Sequence, residues 1–130
     1  MPSRDLNLVH PALLPKVVLL MEQYMNLFPA RELVVIQSYR TQAEQIDLYA
    51  QGRTRPGPVV THDDGIIRKS PHQFTEVNGQ PAAKAVDFGC VIGGRYLSNP
   101  AYYHPIGDLA NAADLRWGGT WGDWDHVELA

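Results

Sequence analysis

The stretch Lys84-Ala85-Val86-Asp87-Phe88-Gly89-Cys90 places a single carboxylate inside a mostly apolar run of residues. Its length and composition predict a short strand from about Lys84 to Cys90. Upstream, the β-branched run from Leu33 to Ile36 predicts a second buried strand. Downstream, the residues from Trp117 to Leu129 predict a turn that leads into a final strand. The sequence therefore presents Asp87 as the one carboxylate of a mostly apolar strand.

Helical patterns separate these strands. Apolar residues recur at steps of three and four from Leu14 to Phe28 and predict an amphipathic helix. Thr41 followed by Glu44 is a capping-box pattern, which predicts a second helix from about Gln42 to Gln51. A helix of small residues is expected from about Pro105 to Leu115. The order α-β-α-loop-β-α-β predicts an α+β fold with a small, mostly antiparallel sheet and flanking helices.

Length and charge restrict the class of protein. The chain has 130 residues, with 11 Lys and Arg against 14 Asp and Glu, so its net charge is −3. This length is typical of one domain, and residues 1–130 are predicted to form a single domain. The charge balance provides no basic surface for nucleic acid or for an anionic membrane. No stretch has the length of a membrane span or the pattern of a signal peptide. We expect synthesis in the cytoplasm, no nucleic-acid partner and no stable membrane association.

The cysteine count restricts the kinds of metal site. Cys90 is the sole cysteine, which excludes an intramolecular disulfide and structural zinc sites of the Cys₄ or Cys₂His₂ type. A bound metal must therefore use histidine and carboxylate ligands. Within its apolar strand, Cys90 is expected to be a small buried residue. The competing hypothesis is a Cys/His hydrolase, which needs Cys90 to be exposed and ionised near a histidine.

Residues 53–81 form a long segment with many turn signals and little expected regular structure. Such long loops are unusual in a small domain, and ordered ones often carry functional sites. His62 lies in this loop, either as an exposed residue or as a contact of a substrate cleft. In the C-terminal tail, Trp117, Trp121 and Trp124 either pack against the sheet or stack on a glycan.

Three short segments offer ligands for a metal: Ser70-Pro71-His72, Val86-Asp87-Phe88 and Asp123-Trp124-Asp125-His126. Two imidazoles and one carboxylate leave a zinc ion an open position for a water, whose pKa then falls to roughly 7. A further carboxylate can transfer the proton of that water to a leaving amine. On spacing alone, the same residues also fit a loop histidine, a salt-bridged strand carboxylate and a surface histidine of an edge strand.

These segments belong to a longer ordered series. The series consists of Ser38-Tyr39-Arg40-Thr41, Gln45 with Leu48-Tyr49, Gly52-Arg53-Thr54, Pro56-Gly57, Val60-Thr61, Ser70-x-His72, Ala85-Val86-Asp87-Phe88, Trp117-Gly118-Gly119 and Asp123-x-x-His126-x-Glu128. From about Ser38 to Leu129 the sequence thereby resembles the zinc peptidases of family M15. These include D-Ala-D-Ala carboxypeptidases and L-alanyl-D-glutamate endopeptidases of peptidoglycan stem peptides, among them phage endolysins. The resemblance implies the hedgehog/D-Ala-D-Ala-peptidase-like fold.

The resemblance also implies roles for individual residues. It implies Zn²⁺ as the cofactor, with the ligands His72, Asp87 and His126. Asp123 corresponds to the general base and acid of the family. Arg40 corresponds to the arginine that contacts the substrate or stabilises the transition state, and Ser70 to the serine of the Ser-x-His motif, a substrate-binding position.

Two features depart from the family pattern. Fourteen residues separate His72 from Asp87, where many members have six, and residues 76–81 look like a turn-rich insertion that changes the shape of the cleft. Asp125 stands where the family often has proline beside the ligand, so Asp125 is an alternative to Asp123 as the base. In a regular strand Asp123 would point away from the metal, so residues 122–125 must form a turn, which Gly122 favours.

The implied function is zinc-dependent hydrolysis of an amide bond in the peptidoglycan stem peptide. An L-Ala-D-Glu endopeptidase is favoured, because Gly52-Arg53-Thr54 and Trp117-Gly118-Gly119 look most like endolysin-type members. The alternatives are a D-Ala-D-Ala carboxypeptidase or dipeptidase, and a non-catalytic module of the same fold that binds cell-wall peptide. We expect a monomer that acts on the cell wall after release through a membrane pore.

Overall fold

The fold is built on a five-stranded sheet. In a computed structural model, which describes residues 2–130, the strands are β1 (Glu32–Gln37), β2 (Ala85–Ile92), β3 (Arg95–Leu97), β4 (Leu115–Trp117) and β5 (His126–Leu129). The helices are α1 (Leu14–Leu27), α2 (Gln42–Ala50) and α3 (His104–Ala112). The strand order is β1-β2-β5-β4, with β3 also paired to β2, and every pair is antiparallel. The α+β class expected from the sequence is confirmed.

One face of the sheet packs against helices α1 and α3. Side chains alternate between the two faces of a strand, so Val86 and Phe88 of β2 lie on the same face. Both are fully buried, as are Val17 of α1 and Ile106 of α3, and all four belong to one apolar core with Val127 of β5. Complete burial of such a side chain contributes roughly 1.5–3 kcal/mol. Asp87 therefore projects from the opposite face, away from the core.

Two short strands differ from the sequence expectation. The turn after β2 leads directly into β3, because Gly93 and Gly94 both have positive φ, at 56° and 78°, which suits a two-residue hairpin turn. The third helix ends at Ala112, and Leu115 is not its last residue but the first residue of β4. Leu115 is buried in the same core. A buried apolar residue is compatible with either a helix or a strand, so its type did not distinguish the two.

The long connection between α2 and β2 is held down by side chains. Gln45 of α2 is fully buried, and its Nε2 donates to the Asp63 carbonyl at 2.8 Å and to Thr61 Oγ1 at 3.2 Å. Gln73 Nε2 donates to the carbonyl of Gly65 at 3.1 Å. Hydrogen bonds from amide side chains to loop carbonyl groups thus order this loop, which has little regular secondary structure. Within residues 2–130 no helix is long and apolar enough to cross a membrane.

Candidate metal centre

Three residues that are distant in the sequence meet at one carboxylate. Asp87 of β2 and His126 of β5 are directly opposite each other in the strand register, with His126 Nδ1 2.8 Å from Asp87 Oδ1. His72 lies in a 3₁₀ turn, Pro71–Gln73, and its Nε2 is 3.2 Å from the same oxygen. Ligand atoms of the three residues all lie within 4.8 Å of one another, so this group could hold a metal ion. The structure brings together the three residues predicted as ligands.

The turn that carries His72 is fixed by its own capping residues. The Ser70 hydroxyl accepts a hydrogen bond from the His72 N–H at 3.2 Å, and Gln73 Oε1 accepts one from the Ser70 N–H at 3.0 Å. The Arg40 N–H donates to the His72 carbonyl at 2.9 Å. Ser70 lines the cleft but is only 6% exposed. Its observed contact is therefore with the backbone of His72, and its predicted contact with a substrate stays a prediction.

Hydrogen bonds on the outer side of each imidazole determine which nitrogen faces Asp87 with a lone pair. His72 Nδ1 lies 2.8 Å from the Ser38 carbonyl, which can only accept, so Nδ1 carries the hydrogen. His126 Nε2 lies 2.8 Å from Glu128 Oε1, which accepts in the same way. When both imidazoles are neutral, as metal binding requires, His72 Nε2 and His126 Nδ1 therefore carry the lone pairs that point toward Asp87. Two imidazole nitrogens and a carboxylate oxygen are a donor set that suits Zn²⁺.

The electrostatics of the cluster favour ionised carboxylates beside protonated imidazole. Burial alone would raise the pKa of Asp87, but His72 and His126 hold that pKa well below its usual range. Burial lowers the pKa of His126, yet the hydrogen bonds with Asp87 and Glu128 raise it to about 10. Burial raises the pKa of Glu128, but the hydrogen bond with His126 and the positive charges of His126 and Arg116 together lower it below its ordinary value. A metal ion must therefore displace a proton from this cluster when it binds.

Two further carboxylates lie beside the cluster. Asp123 Oδ2 is 3.7 Å from His126 Nδ1, and the Asp123 side chain is 49% exposed. The turn expected at residues 122–125 is present, with Gly122 at a φ of 87° and the His126 N–H donating to the Asp123 carbonyl at 3.3 Å. Burial, Asp87 and a hydrogen bond with Asp123 raise the pKa of Asp125 to about 8. Asp123 is thus the more exposed of the two candidate bases, and the raised pKa of Asp125 favours the protonated form of Asp125 near neutral pH.

Arg40 lies between this cluster and helix α2. Its guanidinium donates to Gln45 Oε1 at 2.8 Å and to Gln37 Oε1 at 3.4 Å, and lies 3.9 Å from Asp87 Oδ2. Burial lowers the pKa of Arg40, an effect that Asp87 opposes, and the group remains a cation near neutral pH. In the sequence, Gln45 belongs to the family pattern but had no role assigned to it, and Gln37 was not singled out. Both glutamines are buried, at positions where apolar residues are usual, and a polar side chain in such a place indicates a specific hydrogen-bonding role.

The cluster forms the floor of an open cleft of about 940 Å³. Residues 59–63 and 68–71 of the long loop form one wall, which includes the exposed His62. Arg116 and Trp121 lie on the side of β4 and β5. Trp121 is 50% exposed, and its ring centroid lies 5.9 Å from that of His126. The cleft therefore offers cationic and aromatic side chains around an acidic and imidazole floor.

The three tryptophans lie in two different environments. Trp117 and Trp124 pack against each other and against the His104 ring at the edge of the core. Trp121 instead faces the cleft. Cys90 is fully buried, 3.3 Å from the Tyr24 hydroxyl, and does not line the cleft. Its expected place in the apolar core is confirmed, and the condition for a Cys/His hydrolase is not met.

The predicted insertion lies outside the cleft. The Glu76 N–H donates to the Gln80 carbonyl at 2.8 Å and closes a tight turn in which Gly79 has a φ of 84°. Glu76 also lies 3.8 Å from His10 Nε2, near the start of α1. No residue from 76 to 81 contributes to the lining of the cleft. The extra residues therefore fold back toward α1 and do not line the cleft, and an effect of the insertion on the shape of the cleft stays a prediction.

Comparison with known proteins supports the fold. No family model matches the chain. Among solved structures, the chain is similar to the crystal structure of the L-Ala D-Glu endopeptidase ChiX from Serratia marcescens, with a TM-score of 0.67 and 20% sequence identity. The match covers 100% of this chain and 89% of that one. A likeness at this level of identity establishes the shared fold.

Proposed function

We propose that this chain is a zinc peptidase related to family M15, that residues 1–130 form its single catalytic domain, and that it cleaves the peptidoglycan stem peptide between L-Ala and D-Glu. The observation that carries the proposal is the convergence of His72 Nε2, His126 Nδ1 and Asp87 Oδ1 on the floor of an open cleft. The fold shared with a protein named as an L-Ala D-Glu endopeptidase supports the choice of bond.

Asp123 is the proposed general base and acid. Zn²⁺ held by His72, Asp87 and His126 would supply a Lewis acid that polarises the scissile carbonyl and makes water more acidic. The Asp123 carboxylate is close to His126 and half exposed, so it can accept a proton from the attacking water. As the new C–O bond forms and the C–N bond breaks, Asp123 returns that proton to the leaving amine nitrogen. The products are one carboxylate and one amine.

Arg40 and Ser70 are the proposed substrate contacts. The Arg40 guanidinium is held by Gln45 and Gln37, so its positive charge is fixed before a substrate arrives. A fixed cation in this position can stabilise the negative charge that develops on the carbonyl oxygen, or bind a substrate carboxylate. Ser70 accepts from His72 through its oxygen, and its hydroxyl hydrogen is the part proposed to donate to the peptide.

The test of the function is the digestion of purified peptidoglycan with the zinc-loaded protein, followed by mass spectrometry of the soluble fragments. Cleavage as proposed yields fragments that end in L-Ala and complementary fragments with a new amine on D-Glu. Release of D-Ala alone would instead identify a carboxypeptidase. An unchanged wall after prolonged incubation would contradict hydrolysis and favour a binding module.

The substitution Asp123→Asn tests the assignment of the base. We expect it to lower the turnover rate by about 10²–10⁴-fold, because the amide cannot accept the proton, while zinc stays bound. Asp108→Asn is the matched control, since Asp108 is exposed on α3 and does not line the cleft. Full activity of the Asp123 variant would transfer the role to another group, with Asp125 the next candidate.

A further inference from the structure

We propose that Glu128 is a positioning residue of the metal centre, which holds the ring of His126 in the tautomer that directs a lone pair at the metal. Glu128 is neither a proposed ligand nor a proposed base. The inference rests on the metal centre of the proposed function, and not on the identity of the bond that is cut.

The register of β5 places Glu128 beside the ring of His126. Residues two apart in a strand project from the same face, so Glu128 stands with His126 and opposite the core residue Val127. Glu128 Oε1 lies 2.8 Å from His126 Nε2, while Asp87 Oδ1 lies 2.8 Å from Nδ1 on the other side of the ring. The His126 and Glu128 side chains are 7% and 15% exposed, so water competes little for this hydrogen bond.

The contact excludes Glu128 as a ligand of the same ion. Its carboxylate contacts Nε2, the ring nitrogen that is not bonded to Asp87, and Glu128 is not part of the group of converging ligand atoms. A carboxylate that accepts from the outer N–H of a metal-bound imidazole fixes the orientation of the ring and makes the inner nitrogen a stronger ligand. The position of Glu128 therefore corresponds to an orienting role.

A second contact fixes the Glu128 carboxylate itself. Arg116 of β4 is the register partner of Glu128, and its guanidinium lies 3.5 Å from Glu128 Oε2. One oxygen thus pairs with Arg116 and the other with His126. For His72 the equivalent acceptor is the backbone carbonyl of Ser38, which no side-chain substitution removes. Glu128 is consequently the orienting group that mutation can test.

The experiment measures zinc affinity by competition with a chromophoric chelator, using the full chain at one fixed pH. We expect Glu128→Ala to weaken zinc binding by about 10–100-fold, since loss of such an acceptor leaves the ring free to rotate and to change tautomer. Glu128→Gln should remain close to the wild type, because its amide oxygen can still accept from Nε2–H. Glu22→Ala, at an exposed position of α1, is the control for a general effect of removing a glutamate.

The ¹⁵N NMR spectrum of the zinc-loaded wild type gives a second readout, which does not depend on how any variant folds. It should show a protonated Nε2 in His126. Wild-type affinity in a folded Glu128→Ala protein, or a protonated Nδ1 in the wild type, would overturn the proposal. A wild type without zinc binding would overturn it together with the ligand assignment. Intact peptidoglycan alongside normal zinc binding would reject only the proposed function, since both readouts would still apply to Glu128.

Discussion

Gly118 shows how closely the site depends on a single residue. A Cβ added at Gly118 would collide with the Asp123 carbonyl oxygen and lie 2.9 Å from His126 Cβ. We expect Gly118→Ala to weaken zinc binding and to destabilise the fold by roughly 1–3 kcal/mol, the usual cost of overpacking. Chelator competition and urea denaturation measure the two effects.

The control for Gly118 is Gly93→Ala. Gly93 has a φ of 56° and no atom within 4 Å of an added Cβ, so the substitution strains a remote turn without a collision. It should cost roughly 1–2 kcal/mol of stability and leave zinc affinity unchanged. Equal zinc affinity in the Gly118 variant and the wild type would mean that the backbone at Gly118 moves aside freely.

At the residue scale, sequence reasoning found the residues whose chemistry is visible in their type. His72, Asp87 and His126 are brought together as the sequence led us to expect. Glu128 was part of the quoted motif, but its contact with the outer nitrogen of His126 follows from strand register and ring orientation. The two-residue spacing places both side chains on one face of a strand, but the orientation of the His126 ring does not follow from spacing, so the hydrogen bond is visible only in the structure.

The capping box of α2 is the clearest element-scale prediction. Thr41 Oγ1 accepts from the Glu44 N–H at 3.1 Å, and Glu44 Oε1 accepts from the Thr41 N–H at 2.9 Å. We expect Thr41→Ala to lower the free energy of unfolding by about 1 kcal/mol, because a helix N–H loses its partner. Thr54→Ala, in an exposed turn, should change it by less than about 0.5 kcal/mol. Urea denaturation of both variants decides the matter, and equal midpoints would contradict a role for the cap.

The elements that the sequence predicted best carry local signals. The cap set the start of α2, and turn residues marked the long loop. The strands β3 and β4 were missed because each has three residues, too few to show a period of two. Their existence depends on partners elsewhere in the sheet, which a local pattern does not contain.

At the scale of the whole molecule, binding of a zinc ion should raise the free energy of unfolding. The proposed ligands come from three separate segments that come together only in the folded chain, so zinc should bind the native state in preference to the unfolded one. Free zinc at 100 times its Kd would then add about 2.7 kcal/mol, and Tm should rise by on the order of 10 °C. Thermal melts with zinc and with a chelator measure this shift. His126→Ala should show no such difference, and a wild type that melts equally in both conditions would contradict the coupling.

At this scale the class of the fold followed from the order of helices and strands, whereas the topology did not. The sheet pairs β2 with β5, whose partner residues Asp87 and His126 are 39 positions apart. Strands that follow each other in the sequence usually pair with each other. The order β1-β2-β5-β4 departs from this tendency and depends on how all the apolar faces pack into one core.

The pairing of β2 with β5 has a consequence for how the protein tolerates change. Val86 pairs with Val127 on one face and Asp87 with His126 on the other. A slip of β5 by a single residue would send an imidazole into the apolar interior and a valine into the cleft. A wrong register between β2 and β5 would therefore destabilise the packing on both faces of the sheet. Selection for a stable fold alone would preserve the alignment of the site, even in a descendant that no longer used it.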